Sequence, residues 1–204
     1  MTEGQFRVDP LGAADPERPD IYMRVTLKSG LHLVIRPPHP EDRAALADGF
    51  VGLSERSKYL RFLTGKGVLS SRGLDKLVDQ VDQHDHVALA LWWTRRSQAD
   101  VLLGDARFIR LPADPECADV AVTIADEIQG QGAGTLMMLA LARRAHDEGI
   151  RRFSAVISPS NEASVRMLQR AGTVVRDEYA DGLREIEVEL DPPVEIPDGE
   201  PPRY

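Results

Sequence analysis

The sequence predicts a mixed α/β (α+β) fold, with one central and mostly antiparallel sheet flanked by helices. Three apolar segments at 87–93, 100–110 and 119–126 are joined by short polar turns, a pattern typical of an antiparallel meander. A long helical pattern at 135–149 then leads to a further strand pattern at 152–158. Such a strand–helix–strand crossover places its two strands parallel or nearly so, which makes the sheet mixed.

The other elements are marked by turn and capping residues. The segment 28–30, Lys-Ser-Gly, separates two strand patterns and forms a hairpin turn. Pro40, followed by two acids, begins a helix, because proline suits the first helical turn and carboxylates favour the positive end of the helix dipole. Gly149 ends the long helix. Outside the crossover and the meander, we predict strands at 21–27, 31–37, 173–179 and 183–190, and helices at 40–53, 55–63, 71–81 and 163–172.

Length and local composition favour one domain with two loose ends. The chain has 204 residues, which suits a single domain, and we place that domain at 21–190. Residues 1–20 are rich in proline, glycine and acids, and are expected to form a flexible N-terminal tail. Residues 191–204 hold five prolines and several acids, and are expected to form a C-terminal tail. The expected state is a monomer or a homodimer.

Charge and cysteine content limit the partners and the compartment. The net charge of −8 makes nucleic acid an unfavourable partner and a cationic amine a favourable one. Cys117 is the single cysteine, which excludes an intrachain disulfide and indicates a reducing compartment. No apolar run reaches the roughly 18 residues of a membrane span, and the N-terminus has no apolar signal core. The sequence therefore predicts a cytoplasmic protein that binds neither nucleic acid nor membrane.

The segment IQGQGAGTLM at 128–137 places three glycines directly before an apolar helix. Glycines let the backbone approach a ligand closely, and the N–H groups at a helix start favour a pyrophosphate. A Walker loop is excluded because its lysine is missing, and a dinucleotide loop is disfavoured because the glycines are spaced GxGxG. The remaining alternative is a glycine-rich start of a helix with no ligand.

The pattern Q-x-x-G-x-G that begins at Gln129 resembles the Q/R-x-x-G-x-G/A motif of the general control-related N-acetyltransferase (GNAT) superfamily. The strand before this loop, the parallel strand after the helix, and Asn161 also fall in the family's order and spacing. The resemblance covers roughly residues 33–190. Residues 35–63 are similar more narrowly to the acetyltransferase domain of bacterial protein lysine acetyltransferases of the Pat type.

The resemblance implies the GNAT acyl-CoA N-acyltransferase fold, in which two parallel strands splay apart. It also implies acetyl-CoA as the acetyl donor, no metal, and direct attack by a primary amine in a ternary complex. A protein lysine is the favoured acceptor. The resemblance implies that Asn161 contacts CoA, and the alternative is that it only caps its helix. It implies that Arg170 contacts the 3′-phosphate of CoA, and the alternative is a solvated surface charge. The implied cofactor-binding residues are Val122, Thr123, Ile124, Gln129, Gly130, Gln131, Gly132, Ala133, Gly134, Thr135, Asn161 and Arg170.

Asp119 is the candidate catalytic residue, because many GNAT enzymes carry at this point a glutamate that takes a proton from the substrate ammonium. A carboxylate beside an apolar strand has its pKa raised towards the range a base needs. Aspartate is one methylene shorter than the family's glutamate, so a water that bridges the carboxylate and the substrate ammonium becomes more necessary. The alternative is an acid at a strand edge that keeps the preceding turn soluble. Leu168 stands where many members have a tyrosine that protonates the CoA thiolate, so no such acid is carried over.

Three weaker signals carry less information. Asp126 is expected to favour the start of the following helix. The basic side chains of 55–63, Arg61 among them, are expected to form a solvated face from which one or two contact substrate. His84 and His86 have a spacing that suits a metal, but no cluster supplies the further ligands, so no metal site is predicted.

Two other functions remain open from the sequence. One is acetylation of a small-molecule amine such as a polyamine, an aminoglycoside or an amino acid. The other is a catalytically weak acyl-CoA-binding regulatory module. This function stays possible because the family's tyrosine is missing at Leu168 and because Asp119 replaces the longer glutamate.

Overall fold

The computed structural model describes residues 6–9, 22–63, 70–95 and 100–192. Within the predicted N-terminal tail, Phe6–Asp9 form a strand that pairs with the next one along the chain. The rest of that tail, and residues 193–204 of the predicted C-terminal tail, lie outside the described residues.

Apart from this first strand and two short 3₁₀ turns, at Pro40–Asp42 and Asp126–Ile128, the described elements follow the predicted order. The strands are β1 (Phe6–Asp9), β2 (Met23–Leu27), β3 (His32–Arg36), β4 (His86–Trp93), β5 (Val101–Leu111), β6 (Asp114–Ile124), β7 (Arg152–Ile157), β8 (Gly172–Ala180) and β9 (Leu183–Leu190). The helices are α1 (Arg43–Gly52), α2 (Glu55–Phe62), α3 (Ser71–Val78), α4 (Ala133–Asp147) and α5 (Glu162–Ala171). Within the described ranges, no helix is both long and apolar enough to cross a membrane.

The strands form one mixed sheet in the order β1-β2-β3-β4-β5-β6-β7-β9-β8. β6 and β7 are parallel, and every other neighbouring pair is antiparallel. The predicted meander is β4-β5-β6, and α4 is the helix that crosses over to β7. The predicted fold class is therefore confirmed.

Helices bury apolar side chains against both faces of the sheet. Leu103 of β5 belongs to a large core that includes Leu136 and Met137 of α4, whereas its neighbour Leu102 packs against a smaller cluster that includes Leu46 of α1. Successive residues of a strand point to opposite faces, so α4 and α1 cover opposite sides of the sheet. One face of the sheet is therefore covered by α4, and the other is covered by the helices that precede β4.

The parallel pairing of β6 with β7 is short. Its partners are Cys117 with Arg152, then two more pairs that end at Asp119 with Ser154. Both strands nevertheless continue, β6 to Ile124 with β5 beside it, and β7 in register with β9. The two strands therefore diverge beyond Asp119, as the resemblance implies.

Gly172 joins α5 to β8 at a point of very close backbone packing, opposite Leu190 of β9. A methyl group on Gly172 would overlap the carbonyl oxygen of Glu189 and lie 2.7 Å from its carbonyl carbon. Both clashing atoms belong to the backbone of β9, so the clash is relieved only if the strand moves.

We expect Gly172→Ala to lower the free energy of unfolding by about 3 kcal/mol or more, because a strand must shift to admit the methyl group. The melting temperature should fall by roughly 6–12 °C, read by circular dichroism. Gly52→Ala is the matched control: nothing lies within 4 Å of a methyl group there, and it sits in α1, so its melting temperature should hold or rise slightly. Equal losses in both variants would contradict this account.

Candidate active site

A cavity of about 510 Å³ opens where β6 and β7 diverge. Its wall comes from α2, β6, the glycine loop that follows β6, the first turn of α4, β7 and α5. Elements on both sides of the strand gap thus contribute to one continuous space. The predicted cofactor residues that line it are Val122, Thr123, Ile124, Gln129, Gly130, Gly132, Gly134, Thr135 and Asn161.

Four predicted residues do not line this cavity. The side chain of Ala133 is buried in the core, and Gln131 folds back so that its amide donates to the carbonyl of Glu127 at 3.2 Å. Arg170 lies on the exposed side of the last turn of α5. Asp119 stands next to Val120, which is the first residue of β6 in the cavity wall.

The glycine loop depends on two glycines with left-handed backbone. Gly130 has φ 74° and Gly132 has φ 87°, a region that residues with a Cβ rarely adopt. Gly132 is the N-cap of α4, and no side chain caps the helix there, so the first N–H groups of α4 point out of the helix start without a side-chain acceptor. Gly134 serves close packing instead, because a Cβ there would lie 2.6 Å from the sulfur of Met167 in α5.

Gln129 fixes the loop to the end of β6. Its side-chain amide donates to the carbonyl of Ile124 at 2.9 Å and to the hydroxyl of Ser57 in α2 at 3.2 Å. The loop therefore contacts both β6 and α2, and its position is set by a side chain rather than by glycine alone.

Asn161 begins α5, as one of its two readings predicts. Its side-chain oxygen accepts a hydrogen bond from the backbone N–H of Ser164 at 3.2 Å, and the residue is almost fully buried. Because Asn161 also lies in the cavity wall, the cap does not remove it from the site.

Asp119 lies in the middle of β6 rather than at the strand edge, because β6 begins five residues earlier, at Asp114. Although solvent reaches its side chain, desolvation by the surrounding protein raises the pKa of Asp119, and the charge of Arg61 partly lowers it again. A raised pKa brings this carboxylate closer to the range in which it accepts a proton from an amine.

Asp126 makes a contact that local sequence does not reveal. Its carboxylate accepts hydrogen bonds from the backbone N–H of Ser54 at 2.8 Å, from the Ser54 hydroxyl at 2.9 Å and from the Ser57 hydroxyl at 2.7 Å. These donors belong to the N-terminus of α2, so Asp126 favours a helix start, but of α2 rather than of α4. Desolvation opposes its ionisation, yet the bonds from Ser54 and Ser57 outweigh it and lower the pKa of Asp126.

Behind the cavity, a buried ion pair lies on the α1 side of β5. The guanidinium of Arg107 donates to both carboxylate oxygens of Asp105, at 2.9 and 2.5 Å, and both side chains are almost fully buried. Arg107 also lies 3.2 Å from Nε2 of His86, whose Nδ1 is 3.1 Å from the carbonyl of Gln80. Nδ1 therefore donates to that carbonyl and Nε2 accepts from Arg107; burial, followed by the charge of Arg107, lowers the pKa of His86.

The two histidines considered for a metal lie apart in their contacts. The exposed side chain of His84 pairs with Glu148 at 3.0 Å, whereas His86 belongs to the buried network of Arg107. Among the residues that the structure describes, no group of three or more His, Cys, Asp or Glu side chains is placed to hold a metal ion.

A mixed sheet that opens between two parallel strands onto a glycine loop at a helix start defines the class of acyl-CoA N-acyltransferase folds. The sequence model described as "acetyltransferase (GNAT) domain" matches residues 32–174. This range is most of the chain, and the chain therefore belongs to the GNAT acetyltransferase family.

Known relatives agree with this assignment. The chain is 31% identical over 178 residues to the acetyltransferase Pat of Mycolicibacterium smegmatis, which covers 87% of this chain and 51% of that protein. It is 32% identical over 138 residues to an acetyltransferase of Pseudomonas aeruginosa, covering 68% of this chain and 73% of that protein. The crystal structure of the GNAT domain of S. lividans PAT superposes with a TM-score of 0.72 at 27% identity, over 82% of this chain and 96% of that one. The chain thus spans about half the length of the mycobacterial Pat.

The link through Asp126 predicts a pH-dependent contribution to stability. Because the folded-state pKa of Asp126 is lowered, this contribution is present above its unfolded pKa of about 3.9 and is lost as the pH falls through the folded value. Asp126→Asn should therefore lower the urea midpoint at pH 7, by the equivalent of no more than about 1 kcal/mol because solvent screens the site.

The difference between wild type and Asp126→Asn should shrink steadily towards pH 2. Glu127→Gln is the matched control, since it removes a charge from the adjacent exposed residue. A midpoint for Asp126→Asn that equals wild type at pH 7, or a difference that persists unchanged in acid, would contradict the assignment.

Proposed function

We propose that this protein transfers an acetyl group from acetyl-CoA to a primary amine, and that the amine is a protein lysine. The observation that carries the proposal is the divergence of β6 and β7, which opens a cavity of about 510 Å³ against the glycine loop. Backbone groups of β6 and the glycine loop thereby line one cavity, and the carboxylate of Asp119 stands beside it. The donor follows from membership of the GNAT family and from the shape of this cavity.

In this proposal, the strand edge and the loop hold the two ends of CoA. The pantetheine arm lies against the backbone from Val122 to Ile124, which takes no part in the ladder with β7. The pyrophosphate lies against the N–H groups of residues 129–135, where the positive end of the α4 dipole favours an anion. Asn161 contacts the CoA moiety from the start of α5, and Arg170, which is exposed in the last turn of that helix, contacts the 3′-phosphate.

In this proposal Asp119, which directly precedes Val120 of the cavity wall, acts as the base. Its carboxylate takes a proton from the substrate ammonium, directly or through water, which frees the nitrogen lone pair to attack the thioester carbonyl carbon. The C–N bond forms, the C–S bond breaks, and the nitrogen gives its second proton to the departing thiolate. Backbone N–H groups of the splayed β6 stabilise the developing oxyanion.

The acceptor class rests on similarity and on charge. The resemblance to the Pat type implies a protein lysine, and the net charge of −8 attracts a cationic acceptor. The single cysteine supports a reducing, cytoplasmic setting.

Asp119→Asn should lower kcat with any accepted amine by about 100-fold or more, since it removes the base. As the pH falls below the raised pKa of Asp119, the wild-type rate should decrease because the base becomes protonated. The residual rate of the variant should not show this decrease. The thermal shift produced by acetyl-CoA should persist, because Asp119 does not contact CoA in this proposal. Glu116→Gln, an exposed acid of the same strand outside the cavity, should behave as wild type, and unchanged turnover by Asp119→Asn would remove it as the base.

A panel of acceptors tests the proposed substrate. Release of CoA thiol is measured with lysine peptides, spermidine, an aminoglycoside and free amino acids, each with acetyl-CoA. We expect the highest kcat/KM for lysine peptides. A higher value for a free polyamine or an aminoglycoside would show a small-molecule enzyme, and acetyl-CoA binding without any turnover would show an acyl-CoA-binding module.

A further inference from the structure

Arg61, in the last turn of α2, lines the cavity and carries an unsatisfied donor. It lines the same cavity as β6 and the glycine loop. Its Nε–H is shut off from solvent and has no acceptor among the described residues, and the guanidinium forms no ion pair with them. The guanidinium carbon lies 5.3 Å from the centroid of the Phe62 ring, so its recorded contact is with an aromatic face and not with an acid. A guanidinium stays charged, and a partly buried charge without an anionic partner is costly, so this position favours an anion. No sequence pattern singles out Arg61 for this role, because it belongs to the predicted solvated basic face, from which only one or two unspecified side chains are expected to contact substrate.

Once a substrate amine is bound, Asp119 is the one acid near Arg61 that is available to balance two cations, Arg61 and the substrate ammonium. Asp105, Arg107 and Asp119 are the charged groups that Arg61 feels through space. Asp105 is already held by both arms of Arg107, so its charge is balanced. Asp119 therefore balances Arg61 when the site is empty of substrate. Desolvation lowers the pKa of Arg61, and the charges of Asp105 and Asp119 oppose this.

Binding of a simple alkylammonium would upset this balance. In the proposed reaction the ammonium associates with Asp119 and then gives it a proton, which neutralises the carboxylate. Arg61 would be left as an uncompensated charge in a partly desolvated site. An acceptor that carries its own anion near the amine would keep the site neutral throughout.

Thr123 supplies a second donor on the same side. Its hydroxyl is buried and has no hydrogen-bond partner among the described residues, and Thr123 shares the face of β6 that carries Asp119. It also pairs directly with Asp105 across β5 and β6. Both residues line the same cavity, so a planar anion bound there would give both donors an acceptor once the two side chains turn towards it.

We propose that Arg61, with the hydroxyl of Thr123, forms a binding site for a carboxylate of the acceptor, so that the preferred substrate is an amine with a carboxylate nearby. This inference rests on the proposed function, because it takes the amine to lie at Asp119. The carboxylate belongs to an acidic residue beside the acetylated lysine of a protein, or to a free amino acid. Arg61 fits it through a paired, fork-like contact that an ammonium side chain does not offer.

The test uses acceptors that differ only in a carboxylate. Wild-type enzyme is assayed with acetyl-CoA on a lysine peptide with a neighbouring glutamate against the same peptide with glutamine, and on lysine against lysinamide. The carboxylate member of at least one pair should have a kcat/KM about tenfold higher or more, equivalent to about 1.4 kcal/mol. The pair that shows the preference identifies the source of the carboxylate.

Variants then assign the preference to Arg61. Arg61→Gln should bring the ratio close to one, and Arg61→Lys should restore part of it. Lys76→Gln is the matched control, because it removes an exposed cation on α3 and should leave the ratio as in wild type. If Arg61→Gln fails to fold, the kcat/KM ratios of the wild-type enzyme for the two acceptor pairs still show whether a carboxylate is preferred.

Three results would overturn the carboxylate site. The first is a wild-type ratio near one in both pairs, and the second is a ratio that survives Arg61→Gln. The third is a preference for succinyl-CoA over acetyl-CoA with carboxylate-free amines, which would place the anion on the donor. Turnover without a carboxylate preference leaves the proposed function standing, whereas no turnover of any amine and no acetyl-CoA binding removes both.

Discussion

The early end of the β6–β7 ladder is the constraint on which the rest of the site depends. A parallel pair that stops at Asp119 and Ser154 leaves the following backbone of β6 without a ladder partner on that side. Unpaired strand edges are normally unstable, because their N–H and C=O groups seek partners. Here both strands stay ordered because β5 holds β6 and β9 holds β7. The gap is therefore a property of the sheet, and a ligand backbone is well suited to fill it.

Polar side chains join the β6 side of this gap to α2. Asp126 and Gln129 both come from the chain just after β6, and both bond to the start of α2 through Ser54 and Ser57. The glycine loop and α2 are thus fixed to each other, and α2 carries Arg61 near Asp119. The glycine loop and the α2 side of the cavity share one set of hydrogen bonds, so a disturbance of the loop also reaches α2.

The fold and the loop were predictable because their signals are local. Alternation along β6, the crossover helix and the glycine spacing each depend on a few neighbouring residues, and the structure confirms the resulting class and the parallel pair. The contacts of Asp126 were not predictable, because its partner Ser54 lies 72 residues away and Asp126 has an adequate local role. Asp105 and Arg107 look like ordinary polar residues of a strand, and only the sheet and α3 above it bury them together. The start of β6 was also not predictable from the sequence. Because β6 starts at Asp114, Asp119 lies in the middle of the strand and not at its end.

Different parts of the cavity wall differ in chemical character, and this difference bears on how the proposed reaction proceeds without the family's tyrosine. Leu168 and Met138, both nearly fully buried, form part of its apolar side, against which a flexible thioester arm packs favourably. Arg61 and Thr123 line the polar part of the wall, and Asp119 stands beside it in β6; in the proposed reaction these groups handle charge and protons. A thiol has a pKa of about 8–9 and leaves readily as a thiolate, so an acid at Leu168 is dispensable. An amine, by contrast, stays protonated at neutral pH and cannot attack, which places the chemical demand on the polar side, where the sequence keeps a carboxylate.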